Sequence, residues 1–150
     1  MVEVMAAPVE EVLGSGLIDR LDADLRERYP GEPVNGIEPE AFRLAGGYFV
    51  LARCGSRPVG CGAFRPLDPG TVEIKRLFVV PESRGRGVAR AILAALEAEA
   101  RRRGYTRGVL ETGVRQPEAI ALYRACGYAE MEAFGPYVGS TQSVCFRKAL

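Results

Sequence analysis

The stretch Glu73-Ile-Lys-Arg-Leu-Phe-Val-Val-Pro81-Glu-Ser-Arg84-Gly85-Arg86-Gly87-Val88-Ala89-Arg90 decides the reading of this chain. Val72, Ile74, Leu77, Val79 and Val80 form a β-prone run that Pro81 halts. After a short loop of Arg and Gly, the apolar residues Val88, Ile92, Leu93, Leu96 and Ala100 recur at helical spacing, and Gly104 ends the pattern. The loop therefore opens a helix. A helix N-terminus leaves free N–H groups and carries about half a positive charge, so such a loop is built to receive an anion. Gly85 and Gly87 let a phosphate approach the backbone, and Arg84, Arg86 and Arg90 add fixed positive charge, a combination that suits a pyrophosphate. A P-loop would need Lys and then Ser or Thr after its second Gly, and neither is present. A dinucleotide fingerprint would need its third Gly where Arg90 stands. The plainer alternative is an Arg-rich solvated helix start; placement between a strand and a capped amphipathic helix favours the anion site.

Outward from this segment the chain alternates between two periodicities. Upstream, residues 2–5 read as a short strand. Leu17, Ile18, Leu21 and Leu25 mark a helix ending near Tyr29-Pro30-Gly31, residues 30–39 read as loop, and 40–44 as a helical turn. Residues 48–53, 59–67 and 71–80 then read as three strands with tight connections, an antiparallel meander. Downstream, a helix covers 87–103, with Glu97/Arg101 and Glu99/Arg103 in the favourable i,i+4 order. A strand follows at 107–112, a helix at 117–125 capped by Gly127, and two last strands at 128–133 and 143–148. The order is mixed α/β, with helices covering one strongly twisted sheet.

Composition bounds what such a chain does. At 150 residues, 47% hydrophobic and 26% charged, it reads as a single globular domain, 1–150, able to bury its own core. The 18 Gly point to many turns or to close backbone approach by a ligand. A net charge of +1 argues against nucleic-acid and membrane-surface partners. With no His, the usual neutral base and the commonest metal ligand are missing, so the chemistry must use carboxylates, Tyr, Cys or backbone, and no metal site is expected. Cys54, Cys61, Cys126 and Cys145 are scattered and read as small, reduced core residues of a cytoplasmic protein.

The sequence closely resembles the GNAT superfamily of acyl-CoA-dependent N-acetyltransferases. Arg84-Gly85-Arg86-Gly87-Val88-Ala89 fits that family's phosphate loop, Q/R-x-x-G-x-G/A, at its place after a strand ending in Val79-Val80-Pro81. A second element, roughly N-x-x-A-x-x-L-Y-x-x-x-G-F/Y, is matched by the segment from Gln116 through Ala119, Leu122 and Tyr123 to Gly127-Tyr128, with Gln116 in place of the usual Asn. The pair, in order and at this spacing, is a specific signal. The resemblance covers roughly residues 48–150 and implies an α/β (α+β mixed) fold: one twisted, mostly antiparallel sheet of about six or seven strands, splayed in the middle and flanked by about four helices.

The resemblance also implies a mechanism. The pantetheine arm of acetyl-CoA, the co-substrate, would lie in the splay against the backbone of Leu77, Phe78 and Val79. Gly85, Arg86, Gly87, Val88 and Ala89 would hold the pyrophosphate with Arg84 and Arg90 nearby, and Gln116 and Tyr123 would complete the cofactor site. A backbone N–H aimed at the thioester oxygen would stabilise developing negative charge. Glu73 and Glu111 both stand at positions where family members carry a base, and the sequence does not choose between them; pairing with a neighbouring Arg is the plainer role for either. Tyr123 is the candidate acid for the leaving thiolate, against the alternative of a core Tyr. The acceptor is a small-molecule or peptide amine, its specificity expected from residues 17–43 and the hairpin before the last strand. Arg43, Arg65 and Arg115 are candidates for a carboxylate on that amine, and Phe134-Gly135-Pro136-Tyr137 for an aromatic wall. Transfer of another acyl group, a non-catalytic acyl-CoA-binding module and an RNA binder are the alternatives, and a homodimer stands beside the monomer as the oligomeric state.

Overall fold

The β-prone runs pair in chain order. In the computed structural model, which describes residues 1–33 and 37–150, β1 (Val2–Ala6), β2 (Tyr48–Cys54), β3 (Arg57–Asp68) and β4 (Thr71–Val79) form an antiparallel meander. β4 then lies parallel to β5 (Arg107–Gly113), β5 antiparallel to β7 (Ser143–Ala149), and β7 antiparallel to β6 (Ala129–Met131). The seven-stranded order is β1-β2-β3-β4-β5-β7-β6, so the one parallel pair sits in its middle. A parallel pair needs a crossover, and α4 (Val88–Arg102) supplies it.

Phe49, Val50, Leu51 and Ala52 are all buried, which requires cover on both faces of the sheet. α4 packs across β2, β3 and β4, while α1 (Val9–Gly14) packs on β2 and α2 (Leu17–Arg28) on β3 and β4. Gly62 lets α4 close on the sheet: a Cβ there would stand 2.6 Å from Ile92 Cγ2 and 3.1 Å from Leu96 Cδ1. α3 (Pro39–Leu44) and α5 (Pro117–Ala125) complete the set. No helix among the described residues is long and apolar enough to cross a membrane.

The mixed α/β class and the splayed central sheet are as expected, with one helix more than the resemblance implied. α1 has only six residues, of which Val9 and Val12 are buried, too few to show a period. β6 covers three residues where 128–133 was expected, because Tyr128 belongs to the turn closing α5, its N–H donating to the Tyr123 carbonyl (3.0 Å). Part of the expected loop, Val34, Asn35 and Gly36, lies outside the described residues. Cys61 and Cys145 are buried, but Cys54 and Cys126 are only half-buried, so the four thiols are not all core residues. Glu97 pairs with Arg101 at 3.7 Å, as the i,i+4 order expected, but it is also buried: Tyr128 Oη donates to its Oε2 (2.8 Å) and Lys148 Nζ to its Oε1 (2.9 Å), tying α4 to the last strand.

Candidate active site

β4 and β5 pair only from Thr71↔Arg107 to Ile74↔Leu110, and then part. The cause lies on the other edge of β4. Between the Ala63↔Lys75 and Cys61↔Phe78 pairs, Arg76 and Leu77 oppose the single Gly62, a β-bulge that sharpens the local twist. Arg76 has φ 59°, the one positive value at a non-glycine position among the described residues. Such a conformation costs on the order of 1–3 kcal/mol and persists because its surroundings fix it. Its guanidinium pairs with Asp22 of α2 at 2.7 Å, and its carbonyl accepts from Cys61 Sγ at 3.4 Å. Beyond the bulge β5 leaves the facing edge of residues 77–79 unpaired.

The loop after β4 keeps its anion-receiving geometry. Pro81–Ser83 form one 3-10 turn, Arg84 is extended, and Gly85 (φ 77°) and Gly87 (φ 80°) are left-handed. A Cβ at either glycine would meet nothing within 4 Å, so the space before them is open. No side chain caps α4, which leaves its first N–H groups facing that space. A cleft of about 430 Å³ runs from here along the edge of β4 to α5. Of the expected cofactor residues, Leu77, Phe78, Val79, Arg84, Gly85, Gly87, Val88, Ala89, Arg90, Gln116 and Tyr123 line it, and Arg86 does not. Arg84 Nε donates to the Val79 carbonyl (2.9 Å), and Gln116 Oε1 accepts from Gly113 N–H (3.0 Å). Two of the groups expected at the cofactor are thus engaged within the protein.

A second cleft, about 320 Å³, opens on the far side of the splay, and Leu21, Leu77, Gln116 and Tyr123 line both. The two candidate bases differ sharply here. Glu73 is 1% exposed; its Oε1 accepts from Arg65 Nε (2.9 Å) and pairs with Arg65 Nη2 (2.8 Å), while its Oε2 accepts from Tyr137 Oη (2.7 Å), with Lys75 Nζ at 3.6 Å. Glu111 is half-buried and, among the described residues, accepts one hydrogen bond, from Ser143 Oγ (2.7 Å). Burial raises its carboxyl pKa above the ordinary range, against the smaller lowering effects of Ser143 and Lys75. Tyr123 is 7% exposed between Tyr128 and Phe146, with ring centroids at 6.0 and 6.1 Å. Burial first, and the nearby Glu111 second, push its phenol pKa well up, so it holds its proton at neutral pH.

α2 is fastened over this junction. Arg28 pairs with Glu118 of α5, Arg28 Nη1 donates to the Arg115 carbonyl (3.0 Å), and Arg115 N–H donates to Tyr29 Oη (2.9 Å). The arginines considered for the acceptor are occupied elsewhere: Arg43 with Glu10, Arg65 with Glu73, and Arg115 with the Arg28 carbonyl. The cations lining the second cleft, among the described residues, are Lys75 and Arg76. Pro136 and Tyr137 do line the cleft, as the aromatic-wall reading expected, and Phe134 packs edge-on against Tyr137 at 5.3 Å. Lys75, Gln142 and Ser143 were missed. Alternation along β4 puts Lys75 on the face of Glu73, a signal the sequence did contain; Gln142 and Ser143 reach the cleft only through β5–β7 pairing.

The splayed parallel pair thus has a Gly- and Arg-rich loop at one end and two adjoining clefts along its edges. The family model of the Acetyltransferase (GNAT) family matches residues 15–128. An IAA acetyltransferase of Azospirillum brasilense is 38% identical over 135 residues, covering 89% of this chain and 88% of that protein. A Klebsiella pneumoniae structure bearing the name of an acyl-CoA N-acyltransferase superposes with a TM-score of 0.84 at 32% identity, covering 100% of this chain and 98% of that one. The PaiA N-acetyltransferase of Thermoplasma acidophilum, solved with coenzyme A, shares the fold at a TM-score of 0.73 and 14% identity, over 100% and 99% of the two chains. The chain belongs to the GNAT acetyltransferase family and is an acyltransferase. Membership makes acetyl-CoA its co-substrate and an amine its acceptor.

Proposed function

We propose that this protein moves an acetyl group from acetyl-CoA to a primary amine by direct attack in a ternary complex, with Glu111 as base and Tyr123 as acid. The observation that carries this is the meeting of the two clefts at Tyr123, with Glu111 on the acceptor-side wall. The residues of the donor cleft fit a CoA: open space before two left-handed glycines, an uncapped helix start, and an unpaired strand edge. The donor supplies an acyl carbon activated as a thioester. The name of the Azospirillum relative supports acetyl as that acyl group.

Each residue then has one task. The edge of residues 77–79 offers backbone groups to the pantetheine, and the start of α4 offers N–H groups to the pyrophosphate, with Arg90 beside them. Glu111, raised in pKa and held by one hydroxyl, takes the proton from the amine as nitrogen bonds the acyl carbon. Tyr123 gives its proton to the sulfur as the carbon–sulfur bond breaks. Glu73, with two cations and a phenol on its oxygens, serves as an anchor that fixes Lys75 and Tyr137, and is the less available base. The four unpaired thiols suit a reducing cytoplasm, and residues 1–150 act as one catalytic unit.

The test is CoA release from acetyl-CoA on a broad panel of amines. Amine-dependent release supports transfer; calorimetric binding of acetyl-CoA with no release on any amine would instead make the protein a sensor module.

A further inference from the structure

Glu111 is held from one side, by a pair of serines that reaches the surface. In the β5–β7 register Cys145 stands opposite Glu111 and Ser143 opposite Gly113, so Ser143 is the diagonal neighbour of Glu111 on the same face of the sheet. Ser143 Oγ stands 2.7 Å from Glu111 Oε2 and 3.0 Å from Ser140 Oγ, and Ser140 Oγ accepts from Gln142 N–H at 3.3 Å. Ser140 is exposed, and all three side chains line the second cleft. The backbone that carries the serines is pinned on both sides: Ser140 N–H donates to the Tyr137 carbonyl (3.0 Å), and Val114 N–H donates to the Gln142 carbonyl (2.9 Å).

A hydroxyl has one proton to donate and two lone pairs with which to accept. Ser143 can therefore serve the carboxylate or Ser140, but not both at once. An ionised Glu111 takes the Ser143 proton, because a hydrogen bond to a charged acceptor is the stronger one. Ser140, with Gln142 N–H on its oxygen, then turns its own proton to Ser143. Donation runs in one direction, from Gln142 through Ser140 and Ser143 to Glu111, and each bond polarises the next. Glu111 Oε1 takes no hydrogen bond among the described residues and, unlike the sealed Gln142 Oε1, is not closed off from solvent. One oxygen of the base is tethered and the other is left to the cleft.

We propose that Ser143, steered by Ser140, is a positioning residue for Glu111: its hydroxyl tethers Oε2 and so turns Oε1 toward the amine. This rests on the acetyltransferase reading above and on Glu111 as its base. The titratable groups that face Glu111 are Lys75 and Glu73 of β4, Tyr29 after α2, Tyr123 of α5, Tyr137, and Cys145 of β7. Burial keeps the phenols and the thiol protonated at neutral pH, while Lys75 favours the carboxylate anion and Glu73 opposes it. Loss of the Ser143 hydroxyl removes the hydrogen bond that favours the ionised form, so a carboxyl without it releases its proton at higher pH.

The test follows kcat/KM for CoA release against pH, at saturating acetyl-CoA, on an amine from the panel above. Ser143→Ala should move the rising limb up by about one to two pH units, so that activity at a pH on that limb falls about tenfold to hundredfold. Acetyl-CoA affinity by calorimetry should stay near wild type. Ser143→Thr keeps a hydroxyl and should return the limb to its wild-type place, whereas a merely structural role would lower the rate alike at every pH. Ser140→Ala should give a smaller shift in the same direction. A carbon-13 NMR titration of the Glu111 carboxyl, identified by its loss in Glu111→Gln, should move with the limb and reads the tether independently of turnover. A limb and a carboxyl titration that Ser143→Ala leaves in place would overturn the proposal. A rate loss uniform in pH, or one that Ser143→Thr does not restore, would also overturn it and leave the acetyltransferase standing. A limb that survives in Glu111→Gln would overturn the base assignment and this proposal together.

Discussion

Glu111 stands only two residues beyond Val109, the strand partner of Glu73, yet the surroundings of the two glutamates give them opposite prospects. Glu73 is enclosed by Arg65, Lys75 and Tyr137, while Glu111 has one serine hydroxyl and a raised pKa. The raised value has a stability consequence whose sign is definite. A carboxyl with a folded pKa above its unfolded one contributes stability that is complete below the unfolded pKa and lost as pH rises through the folded pKa. Glu111→Gln should therefore be more resistant to urea than wild type at neutral pH, and the difference should vanish on acidification, while activity falls. Tyr123→Phe makes the complementary prediction: the ring still packs between Tyr128 and Phe146, so acetyl-CoA affinity by calorimetry stays near wild type while kcat drops by ~10² or more. Cys61 illustrates the reverse case, for burial pushes its thiol up to about 12 and makes it inert. At this scale the sequence named both glutamates and Tyr123 but not their partners, because Arg65–Glu73 and Ser143–Glu111 are contacts between strands that only pairing brings together.

Strands and helices were legible where they are long and periodic. The bounds of α5 and the start of β2 agree with the sequence to the residue, and α4 differs by one at each end. The bulge at Arg76 left no such mark, since a left-handed arginine inside a β-prone run follows from the β3–β4 register shift and not from residue preference. Two predictions belong to elements. Gly87→Val places a β-branched residue at φ 80° with its side chain in the open space before α4. It should weaken CoA binding at least tenfold by calorimetry, at a fold cost of about 1–3 kcal/mol in urea unfolding. Glu97→Ala leaves the partly buried Lys148 ammonium and the Tyr128 hydroxyl facing each other without an acceptor. The loss should be about 2–3 kcal/mol of stability in urea unfolding, because that network ties α4 to the last strand and its groups are left buried and unpaired.

For the molecule as a whole, the separation of β4 from β5 joins fold to function. It is produced by the bulge, held by Asp22 and Arg76 between α2 and β4, and lined on its two sides by the clefts proposed for donor and acceptor. The phosphate-loop and helix motifs made the donor half legible, because a CoA site is built largely from backbone whose geometry follows from Gly85, Gly87 and the strand break at Pro81. The acceptor half was not legible, since its walls come from β4, β5, α2 and the segment before β7, residues far apart in the chain. The central claim, that Glu111 removes the amine proton at this junction, is tested most directly by the pH dependence of kcat/KM for CoA release in wild type, Glu111→Gln and Glu73→Gln. Wild-type activity should rise as pH passes a carboxyl pKa above the ordinary range. Glu111→Gln should lose that limb and about 10²-fold of activity near neutrality, recovering at high pH where the amine is already free, while Glu73→Gln keeps the wild-type profile shape. A wild-type profile in Glu111→Gln, or the lost limb appearing in Glu73→Gln instead, would contradict the account.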